Sequence, residues 1–596
     1  MSHEKNLKSL FKVTPQEIKE LFQIQRSKKS KSRIIVFLVG VIFTPITLIG
    51  ALAGYIRAYK RFMFPKKMFP VFSPMLPIVR VAMISGAVLI WIALFLVTFI
   101  IFKVLGIDFQ SVIYLLYYLG VNLILSLIVF AFFNRWRVGY HNYLIEGRKF
   151  GSARLAREEE LGPFRGKEGI YIGGGYTFSD RGHILTVAGT RGGKGTNLII
   201  PNLLGLGNYQ GSWVVIDPKG ENAAITARRQ WELGQKVVIL NPWHLHPDAL
   251  GRPMSYNPLD ILADKTSINL IDDVQIIAEM IIPVDKNDKD KFFTDTARAI
   301  FTGLILYLVV TQPKEDCTLA TIWNWVRFAP NEWDELIADM SAVDDTINGS
   351  IIRNTANEIL GLMKSDKTYA SVMATILQNT DFLKSSALQQ SLRSEFDPKE
   401  LTNGNVTLYI IIPADKMQSH ARWLRLVTTT AMRAVVRNPN KRVTFLLDEF
   451  AALGYISEIE VAMGAYAGFN LTVWPILQSL SQLKKYYSES WETFIGNTAV
   501  KHYFSIADHF TADYVSKTMG QASHVIYQRG AWGIQNPQAT KRQLFTPDEI
   551  MQGSVDNIFA FIGGKHPTYF RKVPYYEMPV FIVDGKPLYD DNPYFK

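Results

Sequence analysis

Ala188-Gly189-Thr190-Arg191-Gly192-Gly193-Lys194-Gly195-Thr196 lies between the apolar residues Ile184, Leu185 and Val187 on one side and Leu198, Ile199 and Ile200 on the other. A glycine-rich turn from a buried strand into a helix is a cradle for phosphate: backbone N–H groups converge on an anion, and the helix N-terminus adds partial positive charge. On this reading Gly189, Thr190, Arg191, Gly192, Gly193, Lys194, Gly195 and Thr196 wrap the phosphates of a nucleotide, and Lys194 reaches their β and γ oxygens. The common form of the loop has Ser or Thr directly after the lysine, to hold Mg2+; here that place is Gly195, with Thr196 one residue late. The alternative is a strand-to-helix turn that binds nothing.

A second motif weighs against that alternative. Val443-Thr444-Phe445-Leu446-Leu447-Asp448-Glu449 is an apolar, β-branched run ending in two carboxylates, the pattern of a buried parallel strand that delivers acids at its C-terminal edge. Asp448 is expected to hold the water shell of Mg2+, and Glu449 to take a proton from the attacking water. Either acid alone could cap a helix after the strand. Together with the loop they are the parts of an ATPase site, with ATP and Mg2+ as its ligands.

Length and composition bound the remainder. A chain of 596 residues holds two or more domains, and 48% apolar with 12% aromatic residues is high for a wholly soluble protein. The excess is N-terminal: Ile34 to Ile56, Val81 to Phe102 and Val112 to Phe133 carry no charge, and each is long enough to cross the ~30 Å hydrocarbon layer as a helix. A largely polar and basic arm precedes the first of them and no small-residue cleavage pattern follows, which excludes a cleaved signal peptide.

The net charge of +11 invites a nucleic-acid reading, but its distribution does not support one. Residues 1–133 contain 16 Lys+Arg and 4 Asp+Glu, leaving 48 against 49 for residues 134–596. The body is neutral, and the excess flanks the apolar stretches as the positive-inside rule demands. ATP is cytosolic, so the body faces inward and the short loop from Lys103 to Ser111 faces out. The arm before Ile34 then carries nine Lys+Arg on the wrong side if Ile34 to Ile56 also crosses. Pro45 and Gly40, Gly50 and Gly54 instead suit a re-entrant or interfacial element, leaving two full crossings. Ahead of it, Thr14-Pro15-Gln16-Glu17 forms a capping box opening a short membrane-surface helix. The lone Cys317 excludes an internal disulfide, and the closest histidine pair, His244 and His246, lacks metal-ligand companions.

Through the body, Trp213 to Asp217 and Lys236 to Leu240 read as strands on either side of a helical run, the βαβ pattern of a doubly wound, mainly parallel sheet. From Pro258 to Asp397 helical spacing takes over, as at Ile271, Val274, Ile277, Ala278 and Ile281, before strands resume at Val406 to Ile412, Val443 to Leu447 and Leu471 to Ile476. The expected order is a cytoplasmic arm (1–33), a membrane region (34–133), a first part of an α/β nucleotide-binding domain (134–257), an all-helical insert (258–397), and a second part with the C-terminal segment (398–596).

The body resembles the type IV secretion coupling proteins, the TraG/TraD-type conjugative transfer ATPases. Besides the loop and strand above, the series runs through Gly151-Ser152-Ala153-Arg154, Asp217-Pro218-Lys219-Gly220-Glu221, Tyr256-Asn257-Pro258-Leu259 and Tyr409-Ile410-Ile411-Ile412-Pro413-Ala414-Asp415. It continues with Gln478-Ser479-Leu480-Ser481-Gln482-Leu483, Gly496-Asn497-Thr498 and Leu544-Phe545-Thr546-Pro547-Asp548-Glu549. The resemblance implies a RecA-like P-loop ATPase anchored in the bacterial inner membrane, multi-pass, with its body in the cytoplasm and a homo-hexameric ring. Its implied partners are a relaxase-DNA complex or secreted protein effectors and the components of a type IV secretion channel. Relatives also carry Gly after the loop lysine, so Gly195 implies a variant Mg2+ shell. The chain departs from the pattern in a shorter external loop and an additional apolar segment.

Gln478, at the end of the strand from Leu471, is placed to contact the γ-phosphate and report hydrolysis, its plainer role being a strand cap. Lys219 and Glu221 could contact nucleotide or a neighbour, or cap the following helix as Asp217 could. Ring ATPases receive an arginine from the adjacent subunit. Val443 to Gln528 contains none, which leaves Arg422, Arg425, Arg529, Arg542 and Arg571 as candidates without rank. A membrane scaffold that binds nucleotide with little turnover, and a receptor for protein effectors only, are the competing functions.

Overall fold

The computed structural model describes Ile124 and residues 150–283, 291–344, 347–526, 529–530, 533–534 and 538–594. Apart from Ile124, the three expected membrane elements and the capping box at Thr14 lie outside the described residues. The chain divides into two compact units, Leu155–Val515 with Thr546–Lys596, and Met1–Arg154 with Ser516–Phe545.

The larger unit opens with the hairpin β1 (Ile170–Gly173) and β2 (Tyr176–Phe178). Seven strands follow in its first sheet: β3 (His183–Ala188), β4 (Ser212–Asp217), β5 (Lys236–Leu240), β6 (Val406–Ile411), β7 (Val443–Leu447), β8 (Leu471–Leu477) and β9 (Thr498–Phe504). In the smaller unit β10 (Gln521–Ile526) pairs antiparallel with β13 (Gln538–Gln543), and β11 (Arg529–Gly530) with β12 (Gly533–Ile534). There Ser152 bridges Ala522, and Ala153 N donates to Gln521 O at 3.0 Å, so the Gly151-Ser152-Ala153-Arg154 segment lies along this hairpin.

Two further strands, β14 (Asn557–Ile562) and β15 (Thr568–Arg571), complete a nine-stranded sheet of order β15-β14-β9-β3-β8-β7-β4-β6-β5. From β9 to β5 every pairing is parallel; β14 and β15 add an antiparallel edge. The cause is visible in the sequence. β3, β4, β6, β7 and β8 are buried at every position, as strands covered by helices on both faces must be, whereas β5 at the edge is only partly covered.

Helices make the crossovers. The loop after β3 runs through a helical turn at Gly195–Ile199 into α1 (Ile200–Leu203), and α2 (Glu221–Glu232) joins β4 to β5. Between β5 and β6 the regular elements are helical, the longer ones being α3 (Leu270–Ile281), α4 (Lys291–Thr311), α5 (Leu319–Trp325), α6 (Pro330–Ser341), α7 (Ile347–Leu362) and α8 (Asp366–Thr380). α4 is long and apolar enough to cross a membrane by length and composition alone, yet 72% of that window is buried, against α3, α7 and α8. A Cβ at Gly303 of α4 would stand 2.2 Å from Thr355 Oγ1, so only glycine permits α7 to approach so closely. α9 (Ala421–Arg437) returns from β6 to β7 with Trp423, Leu424, Val427, Ala431 and Val435 buried. α10 (Ser457–Ala465) and α11 (Leu480–Tyr487) flank β8 in sequence.

Candidate nucleotide site

Sheet order places the site. β8 lies between β3, which leads into the Gly189 loop, and β7, which ends at Asp448, so residues from three segments meet at the C-terminal edge of adjacent parallel strands. Ligands of open α/β sheets bind outside that edge.

Within the loop Arg191 (φ 57°) and Gly193 (φ 83°) adopt left-handed backbone that turns the chain back on itself. Gly189 has a second constraint, because a Cβ there would lie 2.1 Å from Ser505 O. Ser505 is the first residue after β9, on the far side of β3 from β8, and its own φ is 48°. Lys572, just beyond β15, donates to Gly192 O (3.2 Å) and to Ser505 Oγ (3.0 Å). The outer side of the loop is thereby held by Ser505 and Lys572, which have no local sequence signal and reach it only through the register of β9, β14 and β15.

On the inner side, Lys194 Nζ lies 2.8 Å from Asp448 Oδ1 and 2.5 Å from Glu449 Oε1. Glu449 Oε2 accepts from Gln478 Nε2 (3.0 Å), and Gln478 Oε1 accepts from Thr190 Oγ1 (3.1 Å). A continuous polar chain thus runs Thr190, Gln478, Glu449, Lys194, Asp448, from one end of the loop to the other. Gln478 is fixed at its backbone too, where its N–H donates to Gln482 Oε1 (2.9 Å). Glu449 has φ 56°, unusual for a residue with a long side chain and the kind of local strain that collects at functional sites.

Electrostatics match that geometry. Burial alone would depress the Lys194 ammonium, but the charges of Asp448 and Glu449 outweigh it and hold it above its ordinary value. Burial pushes the Asp448 carboxyl up, opposed by Lys194. Asp217 is a third acid, brought alongside by the β4–β7 pairing of Ile216 with Leu447. It is 1% exposed and pushed up to about 7, first by burial and further by Asp448 and Glu221, while its acceptance of the Ala223 N–H (2.8 Å) pulls the other way. That bond caps α2. Glu221 accepts from Asn592, and Lys219 O accepts from Tyr594 Oη (3.0 Å), so the Asp217-Pro218-Lys219-Gly220-Glu221 turn is tied to the C-terminal segment.

The residues fit Mg2+ in one respect and qualify an expectation in another. Mg2+ is ordinarily held by one or two carboxylates plus phosphate and water rather than by a protein cage. Asp448 supplies such a carboxylate, and among the described residues no group of three or more His, Cys, Asp or Glu could hold a metal ion. Thr196 Oγ1, by contrast, donates to Gly193 O (3.2 Å) and accepts from Asn197 Nδ2 (3.1 Å), so its hydroxyl is engaged within the loop. A Cβ at Gly195 would meet nothing within 4 Å.

Of the candidate arginines, Arg422 donates to Ile281 O and Asn379 Oδ1 within its own chain, and Arg425 lies one turn further along α9. Arg571 ends β15, while Arg529 and Arg542 belong to the smaller unit.

The family described as type IV secretory system conjugative DNA transfer matches residues 149–590. The chain is 28% identical over 476 residues to protein VirD4 of Rhizobium rhizogenes, spanning 77% of this chain and 68% of that one. It is 26% identical over 468 residues to the conjugal transfer protein TraG of Escherichia coli, spanning 69% and 71% respectively. Among solved structures, the plasmid coupling protein TrwB in complex with ADP and Mg2+ superposes with a TM-score of 0.55 at 16% identity, covering 74% of this chain and 96% of that one, a likeness of fold.

Proposed function

Because the chain belongs to the type IV secretory system conjugative DNA transfer family, we propose that the Lys194 site hydrolyses ATP to drive substrate transfer by a coupling protein. The observation that carries this reading is the single polar chain linking the loop, through Gln478 and Glu449, to Lys194 and Asp448.

The mechanism follows from exchange of partners. Lys194 leaves the two carboxylates for the β and γ oxygens of ATP, which frees Glu449 to accept a proton from water aligned on the γ-phosphorus. Gln478 shares a hydrogen bond with Glu449 and orients that water. When the γ-phosphate departs, Gln478 regains Thr190 on the loop, so hydrolysis is reported from β8 to β3. Asp448 would hold Mg2+, which when bound neutralises charge developing on the phosphates.

The wider reading rests on the family and on the sequence. The protein is a multi-pass inner-membrane ATPase, its body cytoplasmic and assembled as a homo-hexamer, with residues 258–397 taking part in substrate selection. Its substrate is a relaxase-DNA complex or a protein effector, passed to the type IV secretion channel. A nucleotide-binding scaffold with little turnover is the second reading, favoured by Gly195 and by the engagement of Thr196 within the loop.

Hydrolysis by the purified full chain, measured with and without DNA, separates these. Stimulation by DNA supports a DNA motor, basal turnover alone supports protein export, and nucleotide binding without turnover supports the scaffold.

A further inference from the structure

Three guanidinium groups converge on the C-terminal end of α3. Arg298 of α4 donates from Nε to Ile282 O (3.1 Å), and Arg422 of α9 donates from Nε to Ile281 O (3.1 Å) and from Nη2 to Asn379 Oδ1 of α8 (2.8 Å). Arg425, one turn further along α9, lies in the field of Arg422 and beside Tyr487. Every hydrogen-bond acceptor in this set is neutral. Among the described residues only Asp295 pairs with any of the three, at 3.8 Å from Arg298 Nη1, and it is 61% exposed.

The same helix shows what pairing looks like when it is provided. Arg433 and Arg437, further along α9, meet Glu458 and Asp273, carboxylates that are themselves almost fully covered. Arg298 Nη2 and Arg425 Nε instead are buried with no hydrogen-bond partner among the described residues. Burial depresses both Arg422 and Arg425, and Arg422 depresses Arg425 further. A guanidinium cannot escape by losing its proton, so partly buried and unmatched positive charge is retained at a cost.

Capping of α3 by cations accounts for the bonds to Ile281 O and Ile282 O. It does not account for Arg425, which makes neither, nor for the orphaned Nη2 of Arg298. Several forked donors around one point suit an anion with several oxygens, as phosphate is. α9 begins after the C-terminal end of β6, the sheet edge that also carries the Lys194 loop and Asp448. We propose that Arg298, Arg422 and Arg425 form a second phosphate-binding site, distinct from Lys194, that receives a phosphate of nucleic acid or of a nucleotide held by another copy of the chain.

The test uses the full chain carrying Lys194→Ala, so that the first site contributes nothing and the outcome does not depend on the ATPase reading. Inorganic phosphate, titrated at constant ionic strength, should raise the melting temperature of this protein. Adding Arg425→Gln should weaken the phosphate response about tenfold, the scale of one lost charged hydrogen bond. Because Arg425 has no hydrogen bond to lose, the same substitution should leave the melting temperature without phosphate equal or higher. An undiminished phosphate response, or a fall in stability without phosphate, would overturn the proposal. The source is read in two arms, each of which supports the site if positive. Arg425-dependent binding of a labelled single-stranded oligonucleotide identifies nucleic acid; recovery of hydrolysis on mixing Lys194→Ala with Arg425→Gln chains identifies a neighbour's nucleotide. No Arg425-dependent effect in either arm, with an acidic peptide binding in their place, would contradict a phosphate ligand.

Discussion

Gly195 stands at the first turn of the helix after the phosphate loop with open space where a side chain would begin and with no left-handed backbone to require glycine. Replacing it by Ala should stabilise the fold by about 0.5–1 kcal/mol, because the unfolded chain loses freedom while the helix gains a better former. Denaturant unfolding of Gly195→Ala checks this; a loss of stability would show a backbone requirement at that point. Lys572 makes the opposite case. Its bonds to Gly192 O and Ser505 Oγ hold the loop from outside, so Lys572→Ala should raise the KM for ATP about tenfold with kcat nearly unchanged, and Lys572→Arg should recover much of the loss. Equal losses in kcat and kcat/KM would mean that Lys572 acts on the transition state itself. Lys194, Asp448 and Glu449 were legible in the sequence because each belongs to a local pattern whose spacing states its chemistry. Lys572 and Ser505 were not, since neither neighbours the loop in sequence and nothing around them resembles a motif.

At the scale of elements, the strands were legible because uninterrupted apolar runs such as Val443 to Leu447 can only be buried on both faces. Their order was not. That β8 separates β3 from β7, and so carries Gln478 between Thr190 and Glu449, is decided by non-local pairing. The same pairing sets Asp217 at the end of β4 beside Asp448, where the sequence offered only a helix cap. This position has a pH signature. Asp217 is raised from 3.8 to about 7 in the fold, so between those values the folded chain keeps a proton that the unfolded chain releases. Its contribution to stability is fully present below 3.8 and is lost as pH rises through about 7. Asp217→Asn, which retains an acceptor for the Ala223 N–H, should therefore gain stability over the native chain at about pH 8 and show little gain at about pH 4. A gain of the same size at both ends would place the effect in packing rather than in the buried charge.

For the whole molecule, composition separates a basic, apolar N-terminal portion from a neutral body, and the topology argued from it can be tested without the body. A reporter fused at Met1 should be cytosolic, with Ile34 to Ile56 entering the membrane without crossing. A periplasmic signal would restore three crossings and remove the role given to Pro45. α4 cautions against hydropathy taken alone, since it has the length and composition of a span and is a core helix of the body. The central claim is that the chain linking Lys194, Glu449 and Gln478 is a hydrolytic site. It is tested most directly by ATP turnover and ATP binding measured together on the full chain carrying Glu449→Gln. The account predicts binding close to native with turnover at least about a hundredfold slower, as expected on removal of a general base. Turnover at the native rate with binding intact would contradict it.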